Sequence, residues 1–276
     1  LGMSQQTALI TGCSSGIGRA TAGALLEADW QVYATAREQA DIEALGDRPG
    51  CTTAELDVTR AADIDGVVET VLEEAGTLEM LVNNAGFGAY GPLEELSTDR
   101  LRHQFEVNVY GPHRLARAVL PAMRSAGEGR IVTVSSVAGQ IAAPGMGAYA
   151  GSKHAIEAMH DALRVETAPH GIDIVLVQPG PVATPFEARA DAERESAALT
   201  GAYEAVHEFQ ADSALLAGEG LLGVGPEAVA TAIVEAACSP APKPRYRVGP
   251  VASYGLVGRL LPARWRDRVF GLLAGR

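Results

Sequence analysis

Apolar positions along the 276 residues switch between two periods. Short β-rich runs at Ala8–Thr11, Gln31–Thr35, Thr52–Leu56, Met80–Asn83, Arg130–Ser135, Asp173–Gln178 and Tyr246–Val248 predict strands. Between them, apolar residues recur every third or fourth position over Ile17–Ala28, Ala61–Ala75, Arg100–Met123, Ala148–Thr167 and Glu227–Ala237, which predicts amphipathic helices. Strand and helix in regular alternation give an α/β fold: one doubly wound parallel sheet of about seven strands, covered by helices on both faces. Such a sheet binds ligands beyond the carboxyl ends of its strands, so the residues that follow each strand are where chemistry is expected.

Two stretches leave this rhythm. Residues 181–225 mix charge runs, Glu187 to Glu195, with apolar spots at Phe186, Tyr203, Phe209, Leu215 and Leu216. The stretch is too long for a bare connection, and we read it as a partly helical lid over the substrate. The tail, about residues 254–276, sets Leu, Val, Trp265 and Phe270 among Arg259, Arg264, Arg266, Arg268 and Arg276, with Pro262 interrupting the helical period. Packing over the cleft or against a second subunit is expected of it, ahead of docking on an anionic membrane surface. With lid and tail included, one domain is expected over residues 3–276.

The net charge of −12 excludes a nucleic-acid partner, which needs a basic surface. The expected partners are a small molecule and further copies of the chain. Cys13, Cys51 and Cys238 form no spaced pair, and the six histidines form no metal motif, so no metal is expected and the compartment reads as a reducing cytoplasm. No apolar run reaches the roughly 18 residues that cross a bilayer.

Thr11-Gly12-Cys13-Ser14-Ser15-Gly16-Ile17-Gly18 joins the first strand to the first helix. Its glycines permit a tight turn and a close backbone approach to a pyrophosphate, and the helix N-terminus favours the anion. At the end of the second strand, Val32-Tyr33-Ala34-Thr35-Ala36-Arg37 lacks the carboxylate that would bind a ribose 2′-hydroxyl and offers Arg37, suited to a 2′-phosphate. NADP(H) is therefore expected over NAD(H). The chain has twenty arginines and only two lysines, yet one of the lysines, Lys153, stands four residues after Tyr149. On a helix the two share a face, so a compact ammonium on a flexible stem can lie close to the phenol, where a planar guanidinium could not reach.

With Asp57 after the third strand, Asn83-Asn84-Ala85-Gly86 after the fourth, Asn108 in a helix, Ser136 after the fifth, Tyr149 with Lys153, and Gln178-Pro179-Gly180 with Thr184 after the sixth, the chain resembles the short-chain dehydrogenase/reductase family from about Thr7 to Val248. The resemblance implies a single Rossmann-type domain that moves hydride between nicotinamide and a carbonyl or alcohol carbon. It further implies that Asp57 meets the adenine amino group, that Val58 packs on the ring, and that Asn83, Ala85 and Gly86 line the adenosine ribose. Pro179, Gly180, Val182 and Thr184 would border the nicotinamide end. Asn84 is expected to tie neighbouring strands.

In the implied mechanism Tyr149 is the general acid/base, and Lys153 holds the nicotinamide ribose and lowers the phenol's pKa. Bringing that pKa from near 10 towards 7 takes about 4 kcal/mol. Ser136 would donate to the substrate oxygen, and Asn108 would anchor a water that links Lys153 to solvent. The wall from Val137 to Ala148, with Met146, and the lid, with Phe186, would contact the substrate. The glycine loop followed by Val-Tyr-Ala-Thr-x-Arg is similar to the NADP(H)-using hydroxysteroid and retinoid branch, so a hydrophobic ketone or alcohol is expected. A homodimer or homotetramer, built on Arg100–Met123 and Ala148–Thr167, completes the expectation. The rival is a non-catalytic NADP(H)-binding redox sensor that controls a partner, since one fold serves many functions.

Overall fold

A computed structural model describes residues 5–184, 200–217, 223–254, 258 and 261–274, with backbone alone at 212–217, Tyr254 and Leu273. Seven strands, β1 (Thr7–Thr11), β2 (Gln31–Ala36), β3 (Cys51–Glu55), β4 (Met80–Asn83), β5 (Gly129–Val134), β6 (Ile172–Pro179) and β7 (Arg245–Val248), form one sheet. Their order is β3-β2-β1-β4-β5-β6-β7, and every neighbouring pair is parallel. The helices are α1 (Gly16–Glu27), α2 (Glu43–Gly46), α3 (Ala61–Ala75), α4 (Thr98–Phe105), α5 (Gly111–Ala126), α6 (Gly147–Thr167), α7 (Glu204–Ala217), α8 (Pro226–Cys238), α9 (Pro250–Tyr254) and α10 (Ala263–Leu273).

The register sorts side chains by face, because successive residues of a strand point to opposite sides. Ile10 aligns with Ala34 and Val82, and Val82 with Val132; these pack with Ala22 and Leu25 of α1 and Val229 and Ile233 of α8. Leu9, Tyr33, Leu81 and Ile131 face the other way, against Ile64 and Val71 of α3 and Leu115 and Val119 of α5. Burial on both faces explains why the strands read as nearly continuous apolar runs.

The helix expected over Arg100–Met123 is instead α4 and α5 joined by a π turn, Glu106–Tyr110, in which the N–H of Gly111 donates five residues back to Glu106. Pro112 lies at this point and has no N–H for the carbonyl of Asn108, so the four-residue ladder loses a bond here. Of the 181–225 stretch, the described part contains α7, in keeping with a partly helical segment. Of the tail, the described part contains α10, with Pro262 at its N-cap, while α9 ends where the tail begins. No helix among the described residues is long and apolar enough to cross a membrane.

The strand order reverses between β1 and β4, and the crevice there is held by few bonds. Asn84 Nδ2 donates to the carbonyls of Thr11 (2.9 Å) and Gly12 (3.0 Å), while Thr11 Oγ1 accepts from the N–H groups of Asn84 and Ala85. Asn84 does tie the two strands. Asn84→Ala removes both carbonyl contacts, and urea unfolding is expected to show a loss of about 1–2 kcal/mol; an unchanged midpoint and slope would show that the tie is dispensable.

Candidate active site

The glycine loop is shaped by contacts too close for side chains. Gly12 and Gly16 adopt φ of 74° and 55°, and a Cβ on Gly18 would stand 2.3 Å from the Gly12 carbonyl oxygen and 2.5 Å from Asn84 Nδ2. Ser15 leaves α1 without a side-chain cap, so the first-turn N–H groups have no partner within the helix and are available to an anion. Thr184 comes over the loop from beyond β6: a Cβ on Gly16 would meet its Cγ2 at 3.0 Å. The side chain of Ile17 is partly buried against the core cluster on this face of the sheet. This donor-rich turn, with glycine at its close approaches, fits a dinucleotide pyrophosphate.

Around the loop lie the other residues expected to hold the dinucleotide. Arg37 is exposed at the end of β2, beside Asp57. Burial alone would raise the Asp57 carboxyl; the Thr59 N–H (2.9 Å) and hydroxyl (2.8 Å), with the charges of Arg37 and Arg60, hold it below the usual range. Val58 is buried against Gly111, where a Cβ would stand 2.9 Å from its Cγ2. Asn83 is buried, donating to Thr133 Oγ1 at 3.1 Å. Pro179 pairs with Val248, Gly180 donates to the Val248 carbonyl, and Val182 bridges to Val224.

Four buried side chains lie on the elements around the end of β5 and the start of α6. Ser136 follows β5 and caps the short turn Val137–Gly139, accepting from the Ala138 N–H at 3.1 Å. Tyr149 is the third residue of α6, its ring edge-on to Tyr90 with centroids 5.6 Å apart. Lys153, one turn on, places Nζ 2.8 Å from the Val134 carbonyl and 5.7 Å from the centre of the Tyr149 ring. Burial pushes the ammonium's pKa down to about 8, with the nearby Glu157 charge opposing the shift. Asn108, in the π turn, brackets Phe87 by accepting from its N–H (3.1 Å) and donating to its carbonyl (2.9 Å), and also donates to Ser152 Oγ at 3.3 Å. Met146 packs in the cluster with Tyr149, Ala138 and Tyr90. Phe186 lies outside the described residues.

Other contacts at the site carried no local sequence signal. Tyr90 comes from the loop after β4. Gln210 of α7 donates to the Gly145 carbonyl at 2.9 Å, and Glu95 accepts from Thr200 and His207, so α7 is docked onto the wall around Gly145. A separate cavity of about 320 Å³, lined by Arg164, Asp173, Pro240, Pro242 and Pro244, opens near the amino end of β6, away from Tyr149. Among the described residues no cluster of His, Cys, Asp and Glu could hold a metal ion.

The family model for the short chain dehydrogenase matches residues 6–195. The chain belongs to the short-chain dehydrogenase family. It is similar to the uncharacterized oxidoreductase YbbO of Escherichia coli, with 38% identity over 96% of this chain and 94% of that one. The NADPH-dependent 3-dehydrocapnine reductase of Ornithobacterium rhinotracheale is 34% identical over 95% of each chain, and human retinol dehydrogenase 8 is 38% identical over 86% of this chain and 79% of its own. A solved short-chain dehydrogenase from Streptomyces avermitilis superposes with a TM-score of 0.83 at 32% identity, covering 99% of this chain and 98% of that one.

One polar relay of this short-chain dehydrogenase has a pH consequence. His160 of α6 contacts the Ile156 carbonyl through Nδ1 (3.0 Å), which must therefore carry the proton, and Nε2 accepts from Thr133 at 2.7 Å. Burial is the main cause that brings the ring's pKa from 6.5 to about 4. Because the folded value lies below the unfolded one, the neutral ring's contribution is complete above pH 6.5 and is lost as pH falls towards 4. Between pH 7 and 5 the wild type should lose about 2 kcal/mol more unfolding free energy than His160→Gln; parallel losses would show that His160 titrates normally.

Proposed function

We propose that this oxidoreductase uses NADP(H) to interconvert a carbonyl and an alcohol on a hydrophobic substrate, with Tyr149 as general acid/base. The observation that carries the reading is Tyr149 and Lys153 on one face of α6, buried beside Ser136 and Asn108, at the strand end that follows a glycine cradle suited to a pyrophosphate.

In the reduction direction the Tyr149 hydroxyl gives its proton to the substrate oxygen, and in oxidation the tyrosinate takes it back. Lys153 favours the tyrosinate by its positive charge one helical turn away. An ammonium has three donors, and with one given to Val134, two remain for ribose hydroxyls. Ser136 donates to the substrate oxygen as negative charge grows there. Both side-chain groups of Asn108 are taken by Phe87 and Ser152, so the water linking Lys153 to solvent falls to its main-chain carbonyl, which Pro112 gives no donor. The bound nicotinamide supplies or accepts the hydride.

For the cofactor, the glycine loop from Thr11 to Gly18, with Ser14 and Ser15 at the turn, takes the pyrophosphate; Asp57, Val58, Asn83, Ala85 and Gly86 take the adenosine half, and Pro179, Gly180, Val182 and Thr184 the nicotinamide half. Choice of NADP(H) is supported by the exposed Arg37, the lack of a carboxylate at the end of β2, and the NADPH dependence in the name of the 3-dehydrocapnine reductase. A hydrophobic substrate is supported by the apolar wall of Ala138, Met146 and Tyr90, and by the likeness to a retinol dehydrogenase. Exposed Tyr110, Met159 and Val165 lie along the π turn and α6 and favour a homodimer or homotetramer on those helices.

In a panel of apolar ketones and alcohols, Tyr149→Phe is expected to lower kcat at least about a hundredfold while leaving NADPH binding by fluorescence nearly unchanged. Retained turnover would remove Tyr149 from the chemistry. Ala36→Asp, which puts a carboxylate at the end of β2, should turn the kcat/KM ratio towards NADH; an unmoved ratio would refute the reading of Arg37.

A further inference from the structure

Four residues beyond Lys153, and eight beyond Tyr149, the same face of α6 carries a buried carboxylate, Glu157. It accepts three hydrogen bonds, each at 2.9 Å. Gln140 Nε2 arrives from the loop that Ser136 begins, Gln178 Nε2 from the residue before Pro179-Gly180, and Arg245 Nε from β7. Arg245 is held in turn by both oxygens of Asp161, at 2.8 Å.

We infer that Glu157 is the positioning residue of this active site: it keeps the ammonium of Lys153 charged and clamps the serine loop and the end of β6 onto the helix that carries Tyr149. The inference rests on the proposed roles of Tyr149 and Lys153.

The placement is demanding. A buried carboxylate is costly unless its lone pairs are filled, and this one is filled by groups from three different elements. Both carboxylate oxygens are needed for the clamp, Oε1 accepting from Gln178 and Oε2 from Gln140 and Arg245, and an amide in the same place would turn a donor towards one of them. Its charge meets two cations: Arg245, paired with it directly, and Lys153, buried one turn back on the same helix, whose ammonium has among the described residues only the neutral carbonyl of Val134 as a hydrogen-bond partner. Losing the anion leaves the ammonium's burial less opposed.

The groups facing the pair are few. Lys153 faces Tyr149 and Glu157 along α6 and the Val134 carbonyl of β5. Glu157 faces the amides of Gln140 and Gln178, Arg245 shared with Asp161, and His160, which is neutral above about pH 4. Arg164 touches only Asp161 of this set.

The test is the pH profile of kcat for carbonyl reduction with NADPH, measured on wild type, Glu157→Asp and Glu157→Gln, with Tyr149→Phe in parallel. Removing the anion lets Lys153 lose its proton at lower pH, so the alkaline limb should move acidward: by about one pH unit in Glu157→Gln, and by less in Glu157→Asp, whose charge is withdrawn by one methylene. At neutral pH kcat should fall about tenfold in Glu157→Gln and largely recover in Glu157→Asp, with KM for NADPH changed less than about threefold. Should Glu157→Gln not fold, the limb of Glu157→Asp alone decides. Limbs that coincide in all folded variants overturn the inference, whatever happens to kcat, because a clamp without charge would lower activity at every pH alike. If Tyr149→Phe keeps its turnover, the underlying reading fails first; if Tyr149→Phe is inactive and the limbs coincide, only the role of Glu157 fails.

Discussion

The ammonium of Lys153, 2.8 Å from the Val134 carbonyl at the junction of β5 and α6, is the interaction on which the rest of the site depends. A buried cation is tolerated only where donors and charges are matched around it. That requirement brings α6 close to the carboxyl end of β5, sets Tyr149 one turn before the lysine and Glu157 one turn after it, and ties Glu157 through Arg245 to the outermost strand. The face of α6 that carries residues 149, 153 and 157 is thus a ruler laid along the site. Its spacing is that of the helix itself, so the relative positions of the three groups need no loop to maintain them.

The sheet contributes the second half of the geometry. In a parallel sheet covered on both faces, ligands bind beyond the carboxyl ends of the strands, and the reversal of strand order between β1 and β4 makes a crevice there. The glycine loop occupies it, held by Asn84, with Gly18 so close to the Gly12 carbonyl that no side chain fits. Cradle and ruler meet because β4 and β5 are neighbours: Thr133, in β5, joins Asn83 of β4 to His160 of α6.

The inner strands are legible because double burial makes each a short apolar run, whereas the edge strands β3 and β7 are only part-buried; α1, α3 and α8 are legible because one face of each packs on the sheet. The tie made by Asn84, the placing of Ser136 at a strand end and the shared helix of Tyr149 and Lys153 follow from local spacing, and each is where it was expected. The π turn at Asn108 was missed: apolar periodicity continues smoothly through Arg100–Met123, and only the missing N–H of Pro112 signals the break. Glu157 was passed over for a different reason. Its place four residues after Lys153 is visible in the chain, but its partners at 140, 178 and 245 are brought together only by the sheet. The docking of α7 through Glu95, His207 and Gln210 is likewise long-range, and no local pattern announces it.

The proposed proton transfer by Tyr149 requires a compact buried ammonium at position 153. The most direct measurement is single-turnover carbonyl reduction by Lys153→Arg, followed through NADPH absorbance with folding checked by circular dichroism. Arginine keeps the charge but brings a planar group with a different reach into the space beside Val134. The expected result is a folded enzyme whose reduction rate falls by at least about a hundredfold. A rate within a few-fold of wild type would contradict it, showing that any positive charge at this point serves.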